Sequence, residues 1–446
     1  MPSDSQIRSN PAPAAFQVRP TASVSGTLRV PGDKSISHRA LMLASIAEGV
    51  SEVRGFLHSD DCVATWRALS QMGVKIDELE SGVIRVQGVG AGGLTKPTQA
   101  LDLGNSGTGM RLMAGLLSAQ PFDSELTGDA SLRQRPMERI ARPLADMGAR
   151  VTTSGGTPPL FVHGGARLHG CSHVLPVASA QVKSALLLAA IHAEGETEVV
   201  EPAVTRDHTE RMLQAFGCQL DTEDRHIRVM GPQQLEATDI DVPGDFSSAA
   251  FFLVAGCLAA GETLLIEDVG VNPTRTGLLE ILRMMGADIE LRNRRVWGDE
   301  PVADLAIKAA PLKGVRVPET LVSLSIDEFP ALFVAAACAS GDTVVSGAQE
   351  LRHKESDRLG AMAAGLERLG VAVELKPDGM TVRGGAFGGG EIDSHGDHRI
   401  AMAFTMAALR ADGPITVRDT SNVATSFPGF ITLARLAGLD IAPVGP

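Results

Sequence analysis

Apolar positions along this chain fall into two alternating kinds of helical pattern. One kind is apolar on nearly every side, predicted over Ile36–Ala47, Gly107–Ser118, Ala180–Ala193, Ser247–Ala260, Glu328–Ala339 and Ile400–Leu409. A helix without a polar face belongs inside a protein, not on its surface. The other kind is amphipathic and stops at a glycine: Gly73, Gly148, Gly217, Gly286, Gly370 and Gly438, at near-equal intervals. Glycine in that place is the usual left-handed residue that ends a helix. Short β-rich runs such as Ser51–Arg54, Thr197–Val200, Thr343–Ser346 and Ile415–Arg418 follow the buried helices. The pattern predicts six copies of one βαβαββ unit.

A unit that short, with a helix needing cover on all sides, cannot easily stand alone. Three units sharing their buried helices make a stable domain, and six make two. The length of 446 residues agrees, on a prior of ~150 residues per domain. The predicted fold class is therefore α+β: two similar domains, each of three βαβαββ units, with a cleft between them. A solenoid is the weaker alternative, because the buried helices demand closed packing. Residues 1–20, rich in Pro, Ala and Ser, are expected to form a disordered tail. Residues 26–245 are expected to hold units one to three. Residues 246–446, with 21–25 as an N-terminal strand, are expected to hold units four to six. The hinge is expected at the two crossings, Ala22–Gly26 and Val242–Phe246.

Composition then narrows the function. Lys and Arg number 40 against 53 Asp and Glu, a net charge of −13, with 4% aromatic residues and no tyrosine. Such a chain lacks the basic stripes and stacking platforms of a nucleic-acid binder. The longest apolar run, Ala249 to Ala260, is too short to cross a bilayer, so no membrane partner is expected. Cys62, Cys171, Cys218, Cys257 and Cys338 are scattered without paired spacing, as reduced thiols of a cytoplasmic protein would be.

The polar residues that need explaining lie just before or within the first turn of a helix. They are Pro31–Arg39, Leu103–Thr108, Ser179–Gln181, Asp327-Glu328 and Gly396–Arg399, together with Arg135-Pro136, Arg206–Thr209 and Lys354–Arg358. Helix starts carry unpaired N–H groups and partial positive charge, so they bind phosphate or carboxylate. Cations placed there oppose the dipole and imply an external anion. Lys354 and Arg358, at i and i+4, are expected on one helical face, where they repel unless an anion lies between them. An isolated Ser35, Ser37 or Ser179 is explained by helix capping alone. His395 and His398 around Asp397 match no strong metal-site spacing. Two carboxylates, Asp327 and Glu355, sit among the cations. They repel the ligand of a mere anion-binding scaffold, but they suit an enzyme that needs a base and an acid.

These residues together resemble the 5-enolpyruvylshikimate-3-phosphate synthase family, over most of the chain from about Gly26 to Leu439. The motifs that carry the resemblance are Pro31–Arg39, Leu103–Arg111, Gly128–Leu132 with Arg135-Pro136-Met137, Ser179–Gln181, Lys354–Arg358 and Asp397–Arg399. The resemblance implies an inverse α/β barrel fold of the enolpyruvyl transferase type. It also implies transfer of enolpyruvyl from phosphoenolpyruvate to the 5-hydroxyl of shikimate 3-phosphate, on the route to chorismate and aromatic amino acids. Asp327, Glu355 and Lys34 would be catalytic. Lys34, Ser35, Arg39, Ser179, Ala180, Gln181, Arg206, Asp327 and Lys354 would hold shikimate 3-phosphate. Lys34, Gly107, Arg135, Gln181, Arg358 and Arg399 would surround phosphoenolpyruvate. No metal or organic cofactor is expected, the protein is expected to be a monomer, and glyphosate is the expected inhibitor.

Two related families fit less well. UDP-N-acetylglucosamine enolpyruvyl transferases carry a loop cysteine where this chain has Ala130, and RNA terminal-phosphate cyclases want a nucleotide site that the sequence does not offer. Thr425 replaces a lysine common in the family. With the Ser179-Ala180-Gln181 spelling, it points to the divergent glyphosate-tolerant class. Gly107, often alanine in that class, points the other way.

Overall fold

The computed structural model describes residues 14–80 and 83–445. The six predicted buried helices are present as Lys34–Ile46, Gly107–Leu117, Ala180–Ala190, Phe246–Ala259, Phe329–Cys338 and His398–Ala407. Every residue of Phe246–Ala259 is buried, as its unbroken apolar character requires. The six marker glycines all adopt positive φ, from 85° at Gly217 to 102° at Gly438. At each, the chain closes the preceding helix with the same pair of bonds. The Gly73 N–H donates to the Ser70 carbonyl (3.1 Å), and the Val74 N–H reaches back to that of Leu69 (3.2 Å).

Among the described residues, the units form six small sheets with one recurring order. In the second unit, Leu101–Asp102 runs parallel to Ser124–Thr127, which pairs antiparallel with Thr157–His163, itself antiparallel to Arg150–Ser154. The fifth unit departs from this, its parallel strand reduced to the bridges Lys313–Ser340 and Arg316–Val344. Two sheets take a strand from far along the chain. Val50–Arg54 pairs with Ile240–Asp241, so the end of the third unit closes the first. Ala15–Arg19 lies between Ile415–Arg418 and Asp440–Val444 in the sixth.

Two hydrophobic cores result. One is built from residues between Ile36 and Val242; the other combines Phe16–Val30 with residues from Phe246 to Ile441. This corrects the expected boundaries at two points. Ala15–Arg19 is no part of a disordered tail: Phe16 and Val18 are buried and the strand is paired on both sides. Residues 1–13 of that tail lie outside the described residues. The second core also reaches past Ala22–Gly26, because Val24–Arg29 pairs parallel with Ala260–Gly270 and sends Leu28 inward.

The chain therefore crosses between lobes at Pro31-Gly32-Asp33 and again at Pro243-Gly244-Asp245, not at Ala22–Gly26. The crossings lie side by side: the Asp33 N–H donates to the Pro243 carbonyl and the Asp245 N–H to that of Pro31, both at 2.8 Å. The buried Arg275 guanidinium clamps them, donating to Asp33 Oδ2 (2.8 Å) and Asp245 Oδ1 (3.1 Å).

Candidate active site

A cleft between the lobes, about 370 Å³ in volume, gathers the starts of helices from both cores. On the first lobe, Asp33 caps helix Lys34–Ile46 by accepting from the Ile36 N–H (2.9 Å), which leaves Lys34 and Ser35 facing the cavity. Lys34 Nζ is held 3.1 Å from Asp61 Oδ2. Ser106 caps helix Gly107–Leu117 and Ser179 caps Ala180–Ala190. Ser179 thus plays the capping part expected of an isolated serine and lines the cavity as well. Ser37 does neither; its hydroxyl accepts from the Leu57 N–H (3.1 Å) in the core. Gln181 spans the two helix starts, donating to Thr108 Oγ1 (2.9 Å) and accepting from Arg111 Nη1 (2.5 Å).

On the second lobe, Asp327 precedes helix Phe329–Cys338. Lys354 and Glu355 lie between the short turn Gln349–His353 and helix Arg358–Arg368. The expectation that Lys354 and Arg358 share a helical face fails. Asp357 caps the helix at Gly360, so the helix begins only at Arg358. Arg358 is buried and holds both carboxylates from behind. Its Nη1 lies 3.3 Å from Asp327 Oδ1, and its Nη2 lies 2.5 Å from Glu355 Oε2. Its Nε donates to Asp397 Oδ2 at 2.8 Å. One guanidinium therefore fixes the spacing of the acid–base candidates.

The first lobe completes the ring. Arg206 Nη2 lies 2.5 Å from Asp327 Oδ2, and Arg135 Nη1 lies 3.3 Å from Glu355 Oε1. Lys354 Nζ reaches Asp327 Oδ1 at 3.3 Å, and Arg399 Nη1 donates to the Asp327 carbonyl at 3.1 Å. Burial alone would raise the Asp327 pKa, but Lys354, Arg206, Arg399 and Arg358 outweigh it and hold the group well below the usual range. Burial likewise raises Glu355, and Arg358, Arg135, His398 and Lys34 pull it well below. Both carboxylates are charged while no substrate anion competes for their cations.

Of the residues expected from sequence, Lys34, Ser35, Arg135, Ser179, Ala180, Gln181, Arg206, Asp327, Lys354, Glu355 and Arg399 line the cavity. Arg39, Gly107 and Arg358 stand behind its wall. Arg39 is buried, donating to Thr209 Oγ1 (2.6 Å), Ser184 Oγ (2.7 Å) and the Ser35 carbonyl (2.9 Å). Gly107 leaves room for arginines: a Cβ there would sit 2.8 Å from Arg135 Nη1 and 3.1 Å from Arg111 Nη1.

Sequence reasoning missed Arg139, Glu350 and Arg275, and it singled out the segments of Thr108, Arg111 and His398 without giving these residues a site role; all six also line the cleft. Arg111 lies one turn after Gly107, inside a motif already singled out, and its position was the available signal. Burial, then Arg135 and Arg139, push its pKa down to about 9. Arg139 and Glu350 pair across the cleft at 3.1 Å, a contact between distant segments that no local pattern announces. Thr425 is buried and turned away, its hydroxyl donating to the Asn422 carbonyl.

Six α/β units in two lobes, with cations and a carboxylate pair between them, are the architecture of enolpyruvyl transferases. Residues 18–433 match the family described as EPSP synthase (3-phosphoshikimate 1-carboxyvinyltransferase). The chain belongs to that family. It is 57% identical over 427 residues to the 3-phosphoshikimate 1-carboxyvinyltransferase of Methylococcus capsulatus, covering 96% of this chain and 98% of that one. Identity to the enzyme of the same name from Alkalilimnicola ehrlichii is 59% over 428 residues, 96% of each chain. The solved structure of EPSP synthase from Acinetobacter baumannii superposes with a TM-score of 0.86 at 52% identity, covering 96% of this chain and 99% of that chain. Among the described residues, no helix is long and apolar enough to cross a membrane.

Proposed function

We propose that this chain joins the enolpyruvyl group of phosphoenolpyruvate to the 5-hydroxyl of shikimate 3-phosphate in the interlobe cleft, releasing phosphate. The observation that carries the reading is Arg358 bridging Asp327 and Glu355, with Lys34, Arg135, Arg206, Lys354 and Arg399 around them. Shikimate 3-phosphate rests on Lys34, Ser35, Ser179, Ala180, Gln181, Arg206 and Lys354, with Asp327 against its 5-hydroxyl. Arg39 supports that wall through Ser35. Phosphoenolpyruvate lies between Lys34, Arg135, Gln181 and Arg399, with Gly107 and Arg358 behind. Charge-assisted bonds of this kind are the strong class.

Asp327 takes the proton of the 5-hydroxyl as that oxygen attacks C2 of phosphoenolpyruvate. Glu355 delivers a proton to the methylene carbon. Breakage of the C2–O bond to phosphate then regenerates the double bond, as the methyl group returns a proton to the enzyme. Incoming anions draw the cations away from both carboxylates, which raises their pKa values toward the range where proton exchange is easy. Lys34 neutralises phosphate as it leaves. The protein acts as a monomer in the cytoplasm and is inhibited by glyphosate in the phosphoenolpyruvate half.

Phosphate release tests this directly. It is expected with shikimate 3-phosphate as acceptor and not with UDP-N-acetylglucosamine; the reverse preference would overturn the reading.

A further inference from the structure

His38 lies four residues beyond Lys34 on helix Lys34–Ile46, entirely buried, and outside the cleft. Both of its ring nitrogens are engaged. Nδ1 is 2.8 Å from Thr65 Oγ1 and Nε2 is 3.2 Å from Ser106 Oγ. The Ser106 hydroxyl oxygen already accepts from the Gly109 N–H at 2.9 Å as a helix cap, so its hydrogen is free to point at Nε2. With that hydrogen pointed at Nε2, the ring keeps its own on Nδ1 and donates it to Thr65. Burial first, then Lys34 and Arg39, push the imidazole pKa down to about 3, so the ring stays neutral and offers one donor and one acceptor.

The ring thus bolts three helices together at one point. The first carries Lys34. The second, Asp60–Gln71, carries Thr65 and, one turn earlier, the Asp61 carboxylate that holds Lys34. The third begins at the Asn105-Ser106-Gly107 turn, where Asn105 Oδ1 accepts from Arg135 Nη2 at 2.9 Å. No slack surrounds the bolt: a Cβ on Gly109 would fall 3.0 Å from Ser106 Oγ and 3.1 Å from Thr65 Oγ1.

We propose that His38 is a positioning residue that sets the Ser106-Gly107 turn, and through Asn105 the Arg135 guanidinium, against Lys34 in the phosphoenolpyruvate half of the cleft. The inference rests on the function proposed above. It makes Ser106 more than a cap, because the cap is aimed by the imidazole as well as by its own helix.

The test compares His38→Leu, His38→Gln and His38→Asn by steady-state kinetics. Leu removes both bonds, Gln can return an acceptor to Ser106, and Asn can return a donor to Thr65. A buried hydroxyl left unpaired is costly, by an amount that corresponds to a change of roughly fivefold to 150-fold. The Michaelis constant for phosphoenolpyruvate should therefore rise at least about fivefold in His38→Leu. That for shikimate 3-phosphate and the turnover number should stay within about threefold. Gln should recover more than Asn. An unchanged phosphoenolpyruvate constant, an equal rise in both constants, or recovery by Asn as full as by Gln would overturn the proposal. Should the wild type release no phosphate from the two substrates, the function fails separately. His38 is then judged by inorganic phosphate, which should raise the melting temperature of the wild type more than that of His38→Leu; equal rises would count against it.

Discussion

Asp327 and Glu355 are charged, partly buried and shared out among cations, which makes them costly to the fold and useful only to chemistry. Replacing either by alanine should lower turnover by ~10²–10⁴-fold, the usual size of general acid–base catalysis. The protein should remain folded, and near-normal turnover would remove that residue from the mechanism. Gly107→Ala acts through space and not through charge. Its methyl would meet Arg135 Nη1 at 2.8 Å, a flexible tip that can yield by a few tenths of an ångström. Glyphosate inhibition of the wild type should be measurable. The substitution should weaken that inhibition by at least roughly tenfold, since a methyl in a tight pocket is worth ~1–3 kcal/mol, and raise the phosphoenolpyruvate Michaelis constant less. If both constants move together, the displaced arginine matters more than the crowding. Which side chains reach the cleft was mostly legible, because a cation at a helix start has few other reasons to be there. For Arg39 and Arg358, sequence gives the neighbourhood of a helix start without telling whether the side chain points into the cavity or stands behind it. Arg139 and Glu350 were invisible for the opposite reason, since each has an unremarkable local setting and acquires its role only by meeting the other.

At the level of single elements, the buried helices could be read almost residue by residue. Their signal is local, an apolar surface with no polar stripe, and nothing distant can hide it. The helix-ending glycines were equally plain, and they offer a comparison within one molecule. Gly217 and Gly148 have similar positive φ, 85° and 93°. A Cβ on Gly217 would meet nothing within 4 Å, whereas one on Gly148 would come within 3.0 Å of the Arg167 carbonyl oxygen. Gly217→Ala should therefore cost about 1–2 kcal/mol from backbone strain alone, and Gly148→Ala measurably more. Urea unfolding gives both values, and turnover should be unaffected in either. Equal costs would mean that the chain near Arg167 relaxes freely. Strand Ala15–Arg19 is the contrasting case. Phe16 and Val18 alternate as a strand's would, but five residues after a proline-rich approach are too short a signal, and only its partners at Ile415–Arg418 and Asp440–Val444 make it a strand.

Over the whole molecule, cations of one lobe face carboxylates of the other: Arg135 with Glu355, Arg206 with Asp327, Arg139 with Glu350. Substrate anions enter that array as competitors for the same cations. Saturating shikimate 3-phosphate with glyphosate should draw the lobes together about the paired Pro-Gly-Asp crossings, and small-angle scattering should record a smaller radius of gyration. An unchanged radius at saturation would count against closure.

Acid should weaken the fold through its buried imidazoles. Burial holds His38 at about 3 and His192 at about 4, and His398 well below its ordinary 6.5. Below pH 6.5 the unfolded chain takes up protons that the folded chain refuses, so stability falls as pH drops toward 4. His38→Leu should flatten that fall in urea titrations at successive pH values; an unaltered slope would mean that His38 is protonated in the native state.

The two lobes also differ in when a ribosome could finish them. Everything in the first core lies between Ile36 and Val242, so it is complete once that stretch has been made. The second waits longer, because Phe16 and Val18 are synthesised well before the rest of their sheet, yet Val18 must find Ile415 and Ile441. Until the last strand emerges, a finished lobe stands between an early apolar strand and its destination. Moving Ala15–Arg19 to follow Val444 through a flexible linker would shorten that wait, and the rearranged chain should depend less on chaperones during synthesis than the natural order does.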